Sequence, residues 1–204
     1  IGDITAADIR SAAEMRHVIK LIARCSLSPD GSIAVGVHPT MVPLTHPLAG
    51  VSGAFNAVFV ESHNAGRLMF MGPGAGGGPT ASAVLGDLVT AARNRVRGVA
   101  GPGQSTYTQR RATPEGRVAS KFYIALTVVD RPGVLARVAE TFARHQVSLQ
   151  AVRQDVSDEH DGNPAMLGVM THVAPREAVR ATLHELAEMA DVLPGTRVIR
   201  VLEE

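Results

Sequence analysis

Two short segments have residue types and spacing that could do chemistry. The first is Asp130-Arg131-Pro132-Gly133-Val134-Leu135. An alternating apolar run ends there, Pro132 fixes φ, and Gly133 lets a helix begin with its N–H groups exposed. A small carboxylate could sit at that positive end, with Asp130 pairing its amino group. An ordinary strand-to-helix turn uses the same residues, so the loop alone leaves both readings open. The second is Gly72-Pro73-Gly74-Ala75-Gly76-Gly77, which satisfies G-x-G-x-x-G literally. The dinucleotide fingerprint also needs a parallel βαβ unit and an acidic residue ~20 positions later. Here the preceding strand reads as half of a hairpin, and Arg93, Arg95 and Arg97 make the later stretch basic. Two readings remain. One is a tight turn in which glycine permits close packing. In the other, backbone N–H groups face a phosphate or nicotinamide held mainly by another domain.

The remaining reactive residues are isolated. His38-Pro39 and His46-Pro47 read as loop histidines, without metal-ligand spacing, so no metal site is expected. Lys20 reads as a solvated strand position. Glu61 and Asp87 are single carboxylates, and Gly50-Val51-Ser52-Gly53 is not a nucleophile elbow. No catalytic residue is assigned. The one cysteine, Cys25, excludes an internal disulfide and fits a reducing, cytoplasmic setting. Net charge is +1, with dispersed arginines and only Lys20 and Lys121 as lysines, so neither nucleic acid nor a membrane surface is an expected partner. No apolar run approaches the ~18–20 residues that span a bilayer. The start at Ile1 has no signal-peptide pattern, and a segment upstream of it is expected.

The elements that must position these loops follow from periodicity. Thr5 caps a helix to Met15, with Ile9, Ala12 and Ala13 on one face. Residues 18–25 and 32–38 read as strands joined by the turn Ser28-Pro29-Asp30-Gly31. Pro39, Pro43 and Pro47 predict an irregular stretch. Residues 54–61 and 67–71 form a second hairpin, so a mostly antiparallel sheet is expected. A helix follows, with Pro79 in its first turn, Ala81, Val84, Leu85, Leu88, Ala92 and Val96 on one stripe, and Gly98 as its stop. Residues 100–118 read as a linker rich in Gly, Pro, Ser and Thr.

Beyond the linker the rhythm is cleaner. Phe122, Ile124, Leu126 and Val128 alternate on a strand. Val134, Leu135, Val138, Ala139 and Phe142 repeat at helical spacing. Strands over 147–156 and 165–173 flank a polar loop, Ser157 to Pro164. A helix opens at Pro175 with Val179, Leu183, Leu186 and Ala190 inward. Pro194-Gly195 ends it, and a last strand covers 196–202. The order β-α-β-β-α-β is ferredoxin-like, and right-handed crossovers put both helices on one face.

The run YIALTVVDRPGVLARVAETFARHQVSLQAVRQ, Tyr123 to Gln154, resembles the opening of an ACT domain, and the likeness extends over about 122–202. It implies an amino-acid effector bound by Asp130, Gly133, Val134 and Leu135 on the loop side and by Ser148 and Leu149 on the strand side, commonly across a dimer interface. Many ACT domains carry Asn where Ser148 stands. IKLIARC, HPLAGVSGAFNAVFVES and GPGAGGGPTASAVLGDL resemble the C-terminal part of the homoserine dehydrogenase catalytic region. That resemblance implies NAD(P)H-dependent interconversion of aspartate 4-semialdehyde and homoserine, in threonine, methionine and isoleucine biosynthesis, with allosteric control by threonine. It implies cofactor contacts from Gly74, Ala75 and Gly76, with Thr80 as a further candidate. The family's N-terminal Rossmann domain and its catalytic lysine and aspartate are not among these residues, and Lys20 is not that lysine.

The expected chain is therefore α+β. A partial catalytic and dimerisation domain, 1–99, is a mostly antiparallel sheet with helices; after the linker comes a βαββαβ ACT domain, 119–204. As a piece of a homo-oligomeric dehydrogenase it should be inactive and bind no NAD(P) alone. The rival readings are a stand-alone amino-acid-sensing module and an oligomerisation unit without catalysis.

Overall fold

The computed structural model describes residues 2, 4–28, 30–101, 108–155 and 164–203. They form two compact units, Ile1–His46 with Arg110–Glu204, and Pro47–Gln109. The elements of the first unit are α1 (Ala6–Glu14), β1 (His17–Leu27) and β2 (Ile33–Pro43), and then, after the second unit, β5 (Ala119–Val129), α3 (Val134–Arg144), β6 (Leu149–Asp155), β7 (Pro164–Thr171), β8 (Ala174–Pro175), α4 (Arg176–Ala187) and β9 (Val192–Val201). The second holds β3 (Phe55–Ser62), β4 (Gly66–Pro73) and α2 (Gly77–Arg97). The whole is α+β, as expected.

The large sheet has the order β1-β2-β9-β5-β7-β6, with β8 added beside β5. Its centre is the βαββαβ frame. Alternation along β5 sends successive side chains to opposite faces. Phe122, Ile124, Leu126 and Val128 join Val138 and Phe142 of α3 and Val179 and Leu186 of α4 in the main core. Both helices thus cover one face, as right-handed crossovers require. Each fully buried side chain of this size contributes roughly 1.5–3 kcal/mol. On the other face, Tyr123, Ala125, Met170 and Ile199 pack with Ala12 of α1 and Met41 of β2.

The N-terminal hairpin belongs to this sheet. β1 pairs antiparallel with β2 from His17↔Pro43 to Leu27↔Ile33, and β2 meets β9 in parallel at Thr40↔Arg200 and Met41↔Val201. The two hairpins therefore enter different sheets, since β3 and β4 pair only with each other among the described residues. Strand structure also runs through Pro39 and His38, where an irregular stretch and a loop histidine are expected. The contact with β9 begins only at Thr40, so β2 is locally an edge at Pro39, and proline is tolerated there.

Other departures have local causes. In α1, Asp8, Ser11 and Ala12 are buried while Ile9 and Ala13 are exposed. Asp8 takes the inward position because it closes a capping box with Thr5 and pairs with Arg197. Pro194-Gly195 lies inside β9, where the register with β5 jumps from Ala125↔Arg197 to Thr127↔Leu193; it forms a bulge rather than a stop. Ala190 falls beyond α4 and is exposed. The second half of the expected linker is tied down: the Ile33 N–H donates to the Arg111 carbonyl at 2.9 Å, and the Thr113 N–H donates to the Ile33 carbonyl at 2.7 Å. Pro29 and most of the polar loop, 157–163, lie outside the described residues.

In the second unit, α2 ends at Gly98 as expected. Its apolar stripe, including Val84, Leu85 and Leu88, is exposed. Among the described residues, nothing within that unit covers it.

Candidate effector and cofactor sites

The loop after β5 has the form that a small zwitterion needs. Asp130 is half-buried, and the Gln154 side-chain amide donates to its Oδ1 at 3.1 Å. Gly133 sits at φ +88°, a left-handed conformation that a residue with a Cβ adopts only at a cost, and it is the cap residue of α3. No side chain caps that helix start. Its first-turn N–H groups and the dipole give a positive end, and Asp130 supplies a carboxylate nearby in sequence. Val134 turns into the core and anchors the turn, whereas Leu135 is exposed. Gln154 is the partner that sequence reading missed. It lies 24 residues away, and only the strand order brings it to Asp130.

Ser148 and Leu149 stand elsewhere. Leu149 pairs with Thr171 at one end of β7, while Val129 pairs with Pro164 at the other. At about 3.3 Å per residue the two sets are roughly 20 Å apart within one protomer. Ser148 is exposed, its carbonyl accepting the His172 N–H at 2.8 Å, and Leu149 packs against the main core. One protomer therefore unites Asp130, Gly133 and Gln154 but not Ser148.

In the second unit, Gly74, Ala75, Gly76 and Thr80 cluster around the start of α2. The preceding β4 is antiparallel to β3, from Phe55↔Pro73 to Ser62↔Gly66, so the Gly-rich turn does not close a parallel βαβ unit among the described residues. The Gly74 N–H donates to the Ala54 carbonyl at 2.8 Å. A Cβ on Gly74 would lie 1.7 Å from Nδ2 of Asn56, so any larger residue there has to displace that exposed side chain. The helix opens without a side-chain cap or an acidic residue in its first turn, and the Thr80 N–H donates to the Gly76 carbonyl at 3.1 Å. That end is free of negative charge and suits an anion electrostatically.

The described residues contain no cluster of three or more His, Cys, Asp or Glu side chains able to hold a metal. None of their helices is long and apolar enough to cross a membrane.

Residues 1–89 match the family model for homoserine dehydrogenase, and residues 122–188 match that for the ACT domain. The chain belongs to the homoserine dehydrogenase family. A homoserine dehydrogenase of Mycobacterium tuberculosis is 46% identical over 100% of this chain and 47% of its own length. That of Corynebacterium glutamicum is 44% identical over 98% of this chain and 45% of its own. The crystal structure of a homoserine dehydrogenase from Thiobacillus denitrificans superimposes with a TM-score of 0.87 at 29% identity, covering 100% of this chain and 46% of that one. The chain spans about half the length of the curated relatives it matches. It joins a homoserine dehydrogenase-related catalytic part to a C-terminal ACT domain.

Proposed function

We propose that the chain serves as the C-terminal portion of a homoserine dehydrogenase that interconverts aspartate 4-semialdehyde and homoserine with NAD(P)H, in cytoplasmic threonine, methionine and isoleucine biosynthesis. The observation that carries this reading is the likeness to homoserine dehydrogenases along the full chain, 46% in the Mycobacterium tuberculosis case. Residues 1–99 contribute to catalysis and dimerisation, 100–118 connect, and 119–204 regulate. Gly74, Ala75, Gly76 and Thr80 border the cofactor, which the Ala75 and Gly76 N–H groups face, since those of Gly74 and Thr80 are bonded to the Ala54 and Gly76 carbonyls; a nucleotide-binding region of the full-length enzyme holds most of it. The exposed stripe of α2 fits such a partner surface. Hydride transfer needs a bound donor and a group that stabilises charge on the carbonyl oxygen. This chain offers no assigned residue for either, so it has no reductase activity alone.

The ACT domain binds an amino acid, threonine, with its carboxylate at the start of α3 and its ammonium at Asp130. Within the large sheet β6 is an edge strand, open to a second copy. Two β6 strands pairing antiparallel about their midpoint would set Leu149 of one copy opposite Asp155 of the other, next to Gln154 and Asp130. A homo-oligomer would thereby complete one effector site from Asp130, Gly133, Val134 and Leu135 of one protomer and Ser148 and Leu149 of its partner. Threonine then inhibits only through different affinity for two states of the enzyme. The test is reductase activity: the full-length protein should reduce aspartate 4-semialdehyde with NADPH and be inhibited by threonine. Turnover by the 204-residue chain alone would overturn the division of labour.

A further inference from the structure

A cavity of about 300 Å³, largely apolar but carrying charged side chains, opens where β2 and β9 separate, between the hairpin and the segment after residue 112. Arg24, His38, Thr40, Thr113, Glu115 and Arg200 line it. Its charge is unbalanced. Glu115 pairs with Arg176 at the first position of α4. Among the described residues, neither Arg24 nor Arg200 has a carboxylate partner. Arg200 is nonetheless half-buried and close enough to Arg176 and Arg24 that burial first, and then those two cations, hold its pKa below the ordinary value. Burial, then Arg200 and Arg176, does the same to His38. On the other side of the strand separation, Asp8 is already engaged by Arg197 and Thr5, so it does not neutralise the cluster.

Like charges gathered in a partly desolvated space are costly without a counter-charge. The ring of His38 folds back over Gly36, where a Cβ would lie 2.6 Å from Nε2. We infer that this cavity binds a small dianion, a phosphate monoester group or a dicarboxylate, gripped by Arg24 and Arg200 with His38 beside it. Two guanidiniums match two negative charges and can each donate in bidentate fashion. The Thr40 hydroxyl is already committed to the His38 carbonyl, to which it donates at 3.1 Å, so the guanidiniums and the imidazole are the donors the wall offers. The site shares no lining residue with the loop at Asp130 or with the Gly-rich turn, and it stands whether or not threonine is the effector.

The test titrates the 204-residue chain with inorganic phosphate and, separately, with malonate, against chloride at constant ionic strength. The readout is the His38 imidazole followed by NMR and assigned with His38→Gln. A bound dianion should raise the His38 pKa saturably. Affinity should fall at least tenfold in Arg200→Gln and again in Arg24→Gln, the latter an exposed strand position where folding is not at stake. Tighter binding of phosphate assigns a phosphoryl ligand, and tighter binding of malonate a dicarboxylate. No saturable response to either anion, or affinity unchanged in both variants, overturns the inference.

Discussion

Replacing Arg197 with methionine removes one half of an ion pair that fastens α1 to β9. Asp8 is only 1% exposed, and its Oδ1 accepts from Arg197 Nε at 2.8 Å. Its Oδ2 accepts from the Thr5 N–H at 2.8 Å and the Thr5 hydroxyl at 2.7 Å. Arg197→Met would leave a buried carboxylate with half its shell. Breaking a buried pair costs about 3–5 kcal/mol. Thr5 keeps its two bonds, and Arg197 is itself 29% exposed, so water can reach the vacated side. The expected loss is about 2–3 kcal/mol at neutral pH. Burial raises the pKa of Asp8, but hydrogen bonds from Thr5 and Arg197 outweigh it and hold the group below its ordinary value. A folded-state pKa below the unfolded one gives stability that is present above the unfolded pKa and lost as pH falls through the folded one. The difference between wild type and Arg197→Met should therefore be full at pH 7 and shrink as pH falls below the ordinary carboxylate range and Asp8 protonates. Urea unfolding followed by circular dichroism, with matched m values, measures both. A change under about 0.5 kcal/mol at pH 7, or an equal loss in acid, would refute the reasoning.

Three further outcomes are expected. Gly133→Ala should cost about 1–2 kcal/mol in urea unfolding, because φ +88° is unfavourable for a residue with a Cβ, and should weaken threonine binding with it. Leu167→Ala, in the main core at 1% exposure, should cost about 2–5 kcal/mol by the same assay. In the full-length enzyme, Gly74→Ala should raise the KM for NADPH more than that for aspartate 4-semialdehyde, since its Cβ would displace Asn56 at the turn; equal changes in steady-state kinetics would argue against a cofactor role.

The βαββαβ frame was legible because its signals are local. Alternation along β5 and the 3.6 period of α3 place Phe122, Ile124, Leu126, Val128, Val134, Val138 and Phe142 in the core, where the structure buries them, although Leu135 of the same stripe is exposed. The departures come from contacts distant in sequence. Nothing near Pro194-Gly195 reveals that β5 holds the chain in register on both sides of a bulge. Nothing in the hairpin announces that β2 joins β9 some 160 residues later. Asp8 is not on the face read from Ile9, Ala12 and Ala13; it is buried by its pairing with Arg197. The stripe on α2 was read from period alone, which gives a face but not the partner that covers it. At the loop, Asp130 and Gly133 were visible as a turn; Gln154 was not, since strand order alone joins it to Asp130.

The most direct test of the regulatory claim is isothermal titration calorimetry of the 204-residue chain with threonine, with serine, methionine, isoleucine and lysine as comparisons. Saturable binding that favours threonine and weakens at least tenfold in Asp130→Ala is the predicted result. Threonine binding that is undiminished in Asp130→Ala, or a chain that takes up none of the five, would contradict an effector site at this loop.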